Sequence, residues 1–131
     1  MFRRAAAVFL VLHGLVHLMG FAVSWQLTTM QELAYRTTVF GGALEVGDTG
    51  ARVLGIGWLL AAAALIVAGV LVWRGSDWAL IATGAAAVIS LVVCLAGLPD
   101  AYRGLYIDVA LVAGLVAVRS RRMGTARWSI R

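Results

Sequence analysis

The sequence contains no lysine: all eleven of its basic residues are arginine. Without a lysine amine nothing can form a Schiff base, so retinal-type and other imine chemistry is excluded. Cysteine is almost as scarce. Cys94 stands alone, which excludes an internal disulfide and a C-x-x-C redox pair. Charge is short as well: 13% of the 131 residues are charged and 63% are hydrophobic, where soluble domains carry about a quarter charged residues. This is the composition of a membrane protein, and at this length one domain is expected. The arginine-only basic set, with abundant Ala, Gly and Val, is in keeping with the codon bias of a GC-rich genome.

What is present is a series of long runs free of charge. Residues 5–31, 53–73 and 78–99 hold no charged side chain, and each exceeds the ~20 residues that cross ~30 Å of hydrocarbon. A fourth run, residues 104–118, is shorter and is interrupted by Asp108. Extended to Ala101 and Arg119, with its arginines snorkelling, it too can span. The pattern predicts four transmembrane helices, over residues 5–26, 53–73, 78–98 and 101–119. An outer loop over 27–52 and a basic cytoplasmic tail over 120–131 complete the chain. Arg3, Arg4 and the Ala22-Val23-Ser24 sequence give the first run a passing likeness to a signal peptide. Its apolar stretch is longer than the roughly 7–15 residues of a signal core, so it is read as retained.

Arginine also predicts orientation. Arg3, Arg4, Arg74, Arg119, Arg121, Arg122, Arg127 and Arg131 fall on one side of the four spans; Arg36, Arg52 and Arg103 fall on the other. The positive-inside rule places both termini in the cytoplasm, and the bacterial inner (plasma) membrane is the expected location. The turns around Arg74-Gly75-Ser76-Asp77 and Leu98-Pro99-Asp100-Ala101 are too short for anything but antiparallel neighbours. The expected fold is therefore all-α, an antiparallel four-transmembrane-helix bundle. Small residues supply its packing ridges: Gly57, Ala61, Ala64 and Ala68 on helix 2, and Ala82, Ala86 and Ser90 on helix 3.

In the outer loop, Asp48 is placed to cap helix 2. The glycines around it lack the G-K-[ST] of a phosphate loop and follow no strand, so nucleotide binding is set aside. The basic tail, with Trp128 and Ile130 interleaved, reads as a topology signal lying against anionic lipid head groups; so short a segment makes a poor nucleic-acid reader.

Three segments, LHGLVHLMGF in helix 1, GGALEVGDTGARVLGIGWLLAAA entering helix 2 and LPDAYRGLYIDVALV entering helix 4, cover much of the chain. In their order and spacing the chain resembles a family of small four-span bacterial membrane proteins of actinobacterial type. That resemblance implies paired helix-1 histidines and a D-A-x-x-G turn containing Asp100 as characteristic features, and it implies no activity. Where such relatives often have an amide or apolar residue in the fourth helix, this chain has Asp108. In size and topology it is also loosely similar to DoxX-like four-helix membrane proteins.

The chemistry-bearing residues sit inside the apolar runs. His13, His17, Gly20 and Ser24 follow an i, i+4, i+7, i+11 pattern and share one helix face, away from Phe9, Leu12, Val16 and Met19. Lipid cannot satisfy an imidazole, so this face should point into the bundle. Counting down from Trp25, Ala101 and Leu98 at ~1.5 Å per residue puts His17 ~12 Å deep, His13 ~18 Å, Asp108 ~10 Å and Ser90 ~12 Å. His13, His17, Ser90 and Asp108 thus form the expected intramembrane polar site, with His17 and Asp108 in contact directly or through one water. Trp58, a little above, is a secondary candidate, as are Asp48 and Asp100.

Several chemistries fall away. Gly14 stands where H-E-x-x-H needs its Glu, so a zinc protease is unsupported. One haem cannot take both histidines as opposite axial ligands from one helix turn and there is no third histidine. A monomeric bis-histidine haem is excluded, while one shared across a dimer is not. Ser90, His17 and Asp108 lack the elbow and oxyanion loop of a hydrolase. A pair of imidazoles and one carboxylate remain, able to hold a divalent metal through His13, His17 and Asp108 or to pass protons. Interhelical hydrogen bonds worth about 0.6–2 kcal/mol each could equally serve only to fix helix order. The first functional expectation is a non-enzymatic accessory or scaffold subunit, with lipid, a second copy or another membrane protein as partner. The alternatives are a small transporter or proton-coupled carrier using the polar layer, and a membrane redox or metal enzyme.

Overall fold

The computed structural model describes residues 1–128. Four helices account for most of them: α1 (Phe2–Ser24), α2 (Gly47–Arg74), α3 (Ala79–Ala96) and α4 (Tyr102–Trp128). They pack in chain order, α1 on α2, α2 on α3 and α3 on α4. The fold is an all-α four-helix bundle. Three of its helices, α1, α2 and α3, are long and apolar enough to cross a membrane. Phe9, Leu12, Val16 and Met19 are exposed as the helix-face argument expected. On the buried side of α1 the set is Ala7, Leu10, His13, Gly14, His17, Gly20 and Val23, so Val23, not Ser24, continues the inward face.

Two apolar clusters bracket the middle of the bundle. Leu10, Leu65, Ala68 and Ala86 form the one nearer the chain termini. Trp58, Val93, Cys94 and Ala101 form the one nearer the outer segment. Between α1 and α2 the approach is close enough to require glycine. A Cβ on Gly20 would lie 2.4 Å from the Trp58 ring, and one on Gly14 would lie 3.0 Å from the Ala62 carbonyl oxygen. This is the small-residue packing that membrane helices use in place of a hydrophobic driving force. At the other end, Arg4 of α1 sits over the Trp73 ring of α2, 5.6 Å from its centroid. Gly75, left-handed at φ 72°, ends α2, and the Ser76 N–H donates to the Leu71 carbonyl in a Schellman closure.

The outer segment differs from the expected loop. Residues 38–45 make a two-stranded antiparallel hairpin, β1 (Thr38–Val39) against β2 (Leu44–Glu45), pairing Thr38 with Glu45 and Val39 with Leu44. Its turn caps α3. The Phe40 N–H donates to the Ala96 carbonyl and the Gly41 N–H to the Leu98 carbonyl, satisfying acceptors that a helix end leaves open. Arg36 ties the same segment to the α3–α4 turn, its Nε 2.8 Å and its guanidinium nitrogen 3.3 Å from the two Asp100 oxygens.

Helix 2 starts at Gly47, six residues before its charge-free run, because Arg52 ends the run without ending the helix. Asp48 does not cap it. The N-cap is Val46, and the Gly47 N–H donates to the Thr37 carbonyl and to Glu45 Oε1. Asp48 instead accepts from the Tyr35 hydroxyl at 2.7 Å, which holds that phenol above the usual tyrosine range. It still lies in the first turn, where the helix dipole favours an acid. Helix 4 likewise runs past Arg119 to Trp128, so most of the expected tail is helical; Ile130 and Arg131 lie outside the described residues.

The tight α1–α2 contact gives a paired test. Gly20→Ala should lower stability in detergent by about 1–3 kcal/mol, because the Trp58 ring cannot yield. Gly84→Ala, where a Cβ meets nothing within 4 Å, should be neutral or stabilising by up to about 1 kcal/mol. Equal losses for the two variants would contradict the packing.

Candidate functional site

Between the two apolar clusters lies a polar layer drawn from three helices. His13 and His17 come from α1, Ser90 from α3 and Asp108 from α4; their exposures are 6%, 2%, 0% and 0%. His13 Nε2 is 3.0 Å from Asp108 Oδ1. Ser90 Oγ is 2.7 Å from His17 Nε2, and 2.8 and 2.7 Å from the two Asp108 oxygens. The four residues expected to form the intramembrane polar site are therefore brought together, but with different pairing. Asp108 bonds directly to His13; it reaches His17 through the Ser90 hydroxyl.

The pairing differs because the ends of the helices are not level. Gly97, at the α3–α4 turn, lies against the Trp58 ring, as does Gly20. The turn is thus level with Gly20, and the end of α1 stands more than a turn beyond it. Counted from Gly20 and from Ala101, His13 and Asp108 are each seven residues down, about 10 Å. Depths measured from the separate helix ends put His17 at that level instead.

Each buried side-chain nitrogen and oxygen among the described residues has a neighbour at hydrogen-bond distance. Protons are less plentiful. His17 Nδ1 lies 2.9 Å from the His13 carbonyl oxygen, which can only accept, so that nitrogen carries a hydrogen. Ser90 has a single hydroxyl proton to serve both His17 Nε2 and the Asp108 carboxylate. Serving one leaves lone pairs of the other facing the Ser90 oxygen at 2.7–2.8 Å, unless a further positive charge lies among them. That charge is a proton or a metal cation. With neutral histidines and a carboxylate the cluster is one donor short.

The layer opens onto a cleft of about 870 Å³ between the C-terminal half of α1 and the N-terminal part of α4. His13 and His17 line its inner end, with Trp58 and Cys94 beside them; residues 29–33 and the α3–α4 turn line the rest. Trp58 leans on His17 at a ring-centroid distance of 5.3 Å. Asp100 also lines the cleft, yet its carboxylate is engaged by Arg36, so it acts as a strap between the outer segment and the turn. Asp48 is not among the lining residues. Cys94, 3.9 Å from His17 Nε2, is the neighbour that sequence reading passed over. Its signal was available: it stands one helical turn from Ser90 on the same face of α3. Arg103 and Glu32, 3.3 Å apart, meet near the mouth; so exposed a pair contributes little.

No family model, curated protein or solved structure matches the chain.

The hydrogen-bond order carries a direct test. A double-mutant cycle between His13→Ala and Asp108→Ala, read as stability in detergent, should show coupling well above the ~0.5 kcal/mol within which independent sites add. A cycle between His17→Ala and Asp108→Ala should couple in the Ser90 protein and become additive once Ser90 is Ala. Undiminished His17–Asp108 coupling without the hydroxyl would mean that the two side chains touch directly.

Proposed function

We propose that this chain is an integral membrane protein that binds a small ligand in the α1–α4 cleft, a carrier-type role in preference to that of a passive scaffold. The observation that carries the reading is the position of the polar layer. His13 and His17 are buried against Ser90 and Asp108 on one side and line an 870 Å³ cleft on the other. Hydrogen bonds needed only to fix helix order require no such opening. The cleft is within the ~300–1,000 Å³ usual for small-molecule sites and has their character, apolar walls with a few convergent polar groups. The sequence shows no nucleophile elbow or oxyanion loop, and no reaction is assigned.

In this reading α4 is the fourth span. Its Asp108, which lowers its apolar character, is turned wholly inward. The arginine asymmetry supports cytoplasmic termini in a bacterial plasma membrane, with the cleft opening outward.

Two measurements test it. With Cys94 replaced by alanine, Ile107→Cys should react with a charged, membrane-impermeant methanethiosulfonate applied to the outside of intact cells. Reaction only with a membrane-permeant maleimide would mean a cleft closed to water, and the scaffold reading would stand instead. A reporter fused after Arg131 should be active only in its cytoplasmic form; periplasmic activity would overturn the orientation.

A further inference from the structure

Of the open features of the molecule, the donor shortage at the polar layer points most directly to a ligand. We propose that His13 Nε2, His17 Nε2 and an Asp108 oxygen bind a divalent transition-metal cation of the zinc type, with one coordination position facing the cleft. The proposal rests on the cleft being a binding site and names what its inner end holds.

Four observations converge. One ligand atom from each of His13, His17 and Asp108 lies within 4.8 Å of the others, and all three residues are buried. Bonds of about 2.1 Å in a tetrahedral site put ligand atoms roughly 3.4 Å apart, so side-chain rotations of an ångström or so close the set. The two histidines stand at i and i+4 on one helix face, the spacing by which a single helix offers two imidazoles to one metal. For His17 the tautomer is already set, while His13 Nε2 would release the proton it donates to Asp108 as the cation takes its place. The His17 Nδ1–H is held by the His13 carbonyl, leaving Nε2 to coordinate, which is the outer hydrogen bond that metal-binding histidines keep.

Charge and access complete the argument. A cation among His17 Nε2, His13 Nε2 and Asp108 supplies the positive charge that the single Ser90 proton cannot. Ser90 is then free to donate to the second carboxylate oxygen and orient it. Because both histidines line the cleft, a water or a ligand entering there can take the remaining position, as at zinc sites with three protein ligands. Two imidazoles and one carboxylate suit Zn²⁺ and its neighbours in the transition series; Ca²⁺ and Mg²⁺ need more oxygen ligands than the layer offers.

The experiment uses the full chain, purified in detergent and stripped with a chelator. Zn²⁺ should bind at one equivalent per chain in competition with a chromophoric chelator, and Co²⁺ should give the intense visible absorption of a tetrahedral site. His17→Ala and Asp108→Asn should each weaken Zn²⁺ binding by at least about 100-fold, more than loss of an outer-shell partner. Asp108→Asn retains hydrogen-bonding capacity toward Ser90 and His13, so its helicity and elution volume should match the parent and separate metal loss from unfolding. Absence of stoichiometric Zn²⁺ and Co²⁺ binding in the folded parent would overturn the proposal, as would binding unchanged in both variants. Outside labelling of Ile107→Cys with no metal bound would leave the cleft reading intact and assign the missing charge to a proton. Failure of both labelling and metal binding would remove both readings.

Discussion

The Asp108 carboxyl group is withdrawn completely from solvent, and the bundle around it is arranged to supply donors. A buried ionised or hydrogen-bonding group without partners is costly, and removing one partner of a buried ion pair costs about 3–5 kcal/mol. His13 from α1 and Ser90 from α3 answer that demand, and Ser90 extends the connection to His17. Because α1 and α4 are far apart in sequence and not consecutive in packing, this polar link is what draws the first and last helices together at mid-bundle. The apolar clusters above and below enclose it within the bundle and leave the cleft as its opening.

That constraint explains features that would otherwise look unrelated. Gly20 lets Trp58 come close enough to α1 to lean on His17. The hairpin and Arg36 hold the outer segment to the α3–α4 turn, from which α4 carries Asp108 into the bundle. Cys94, one turn above Ser90, fills the space between the polar layer and the outer apolar cluster.

How much of this could be read from the sequence depends on which physical signal was local. The inward histidine face follows from i, i+4 spacing within one helix, and it was legible. So were Ser90 and Asp108, polar residues in apolar runs that no lipid could satisfy. The His13–Asp108 pairing was not, because it depends on the relative heights of α1 and the α3–α4 turn, which contacts between distant segments determine. The start of α2 was hidden for a similar reason: a charge ends an apolar run, but Arg52 is an acceptable helix residue and its carbonyl takes the Trp25 indole N–H. Asp48 has the residue type of a cap, yet Tyr35 claims it across the outer segment. The extension of α4 to Trp128 escaped because arginine, which ends a membrane span, does not end a helix.

The chain has only two histidines, so the centre of the account can be observed without substitution. Protein labelled with ¹⁵N-histidine and ¹³C-aspartate, reconstituted in bilayers, should show a dipolar correlation in solid-state NMR between His13 Nε2 and the Asp108 carboxyl carbon. His17 should show a protonated Nδ1 that exchanges slowly with water. Absence of the His13–Asp108 correlation, with both rings exchanging freely, would mean that the acid and the histidines do not form one buried layer.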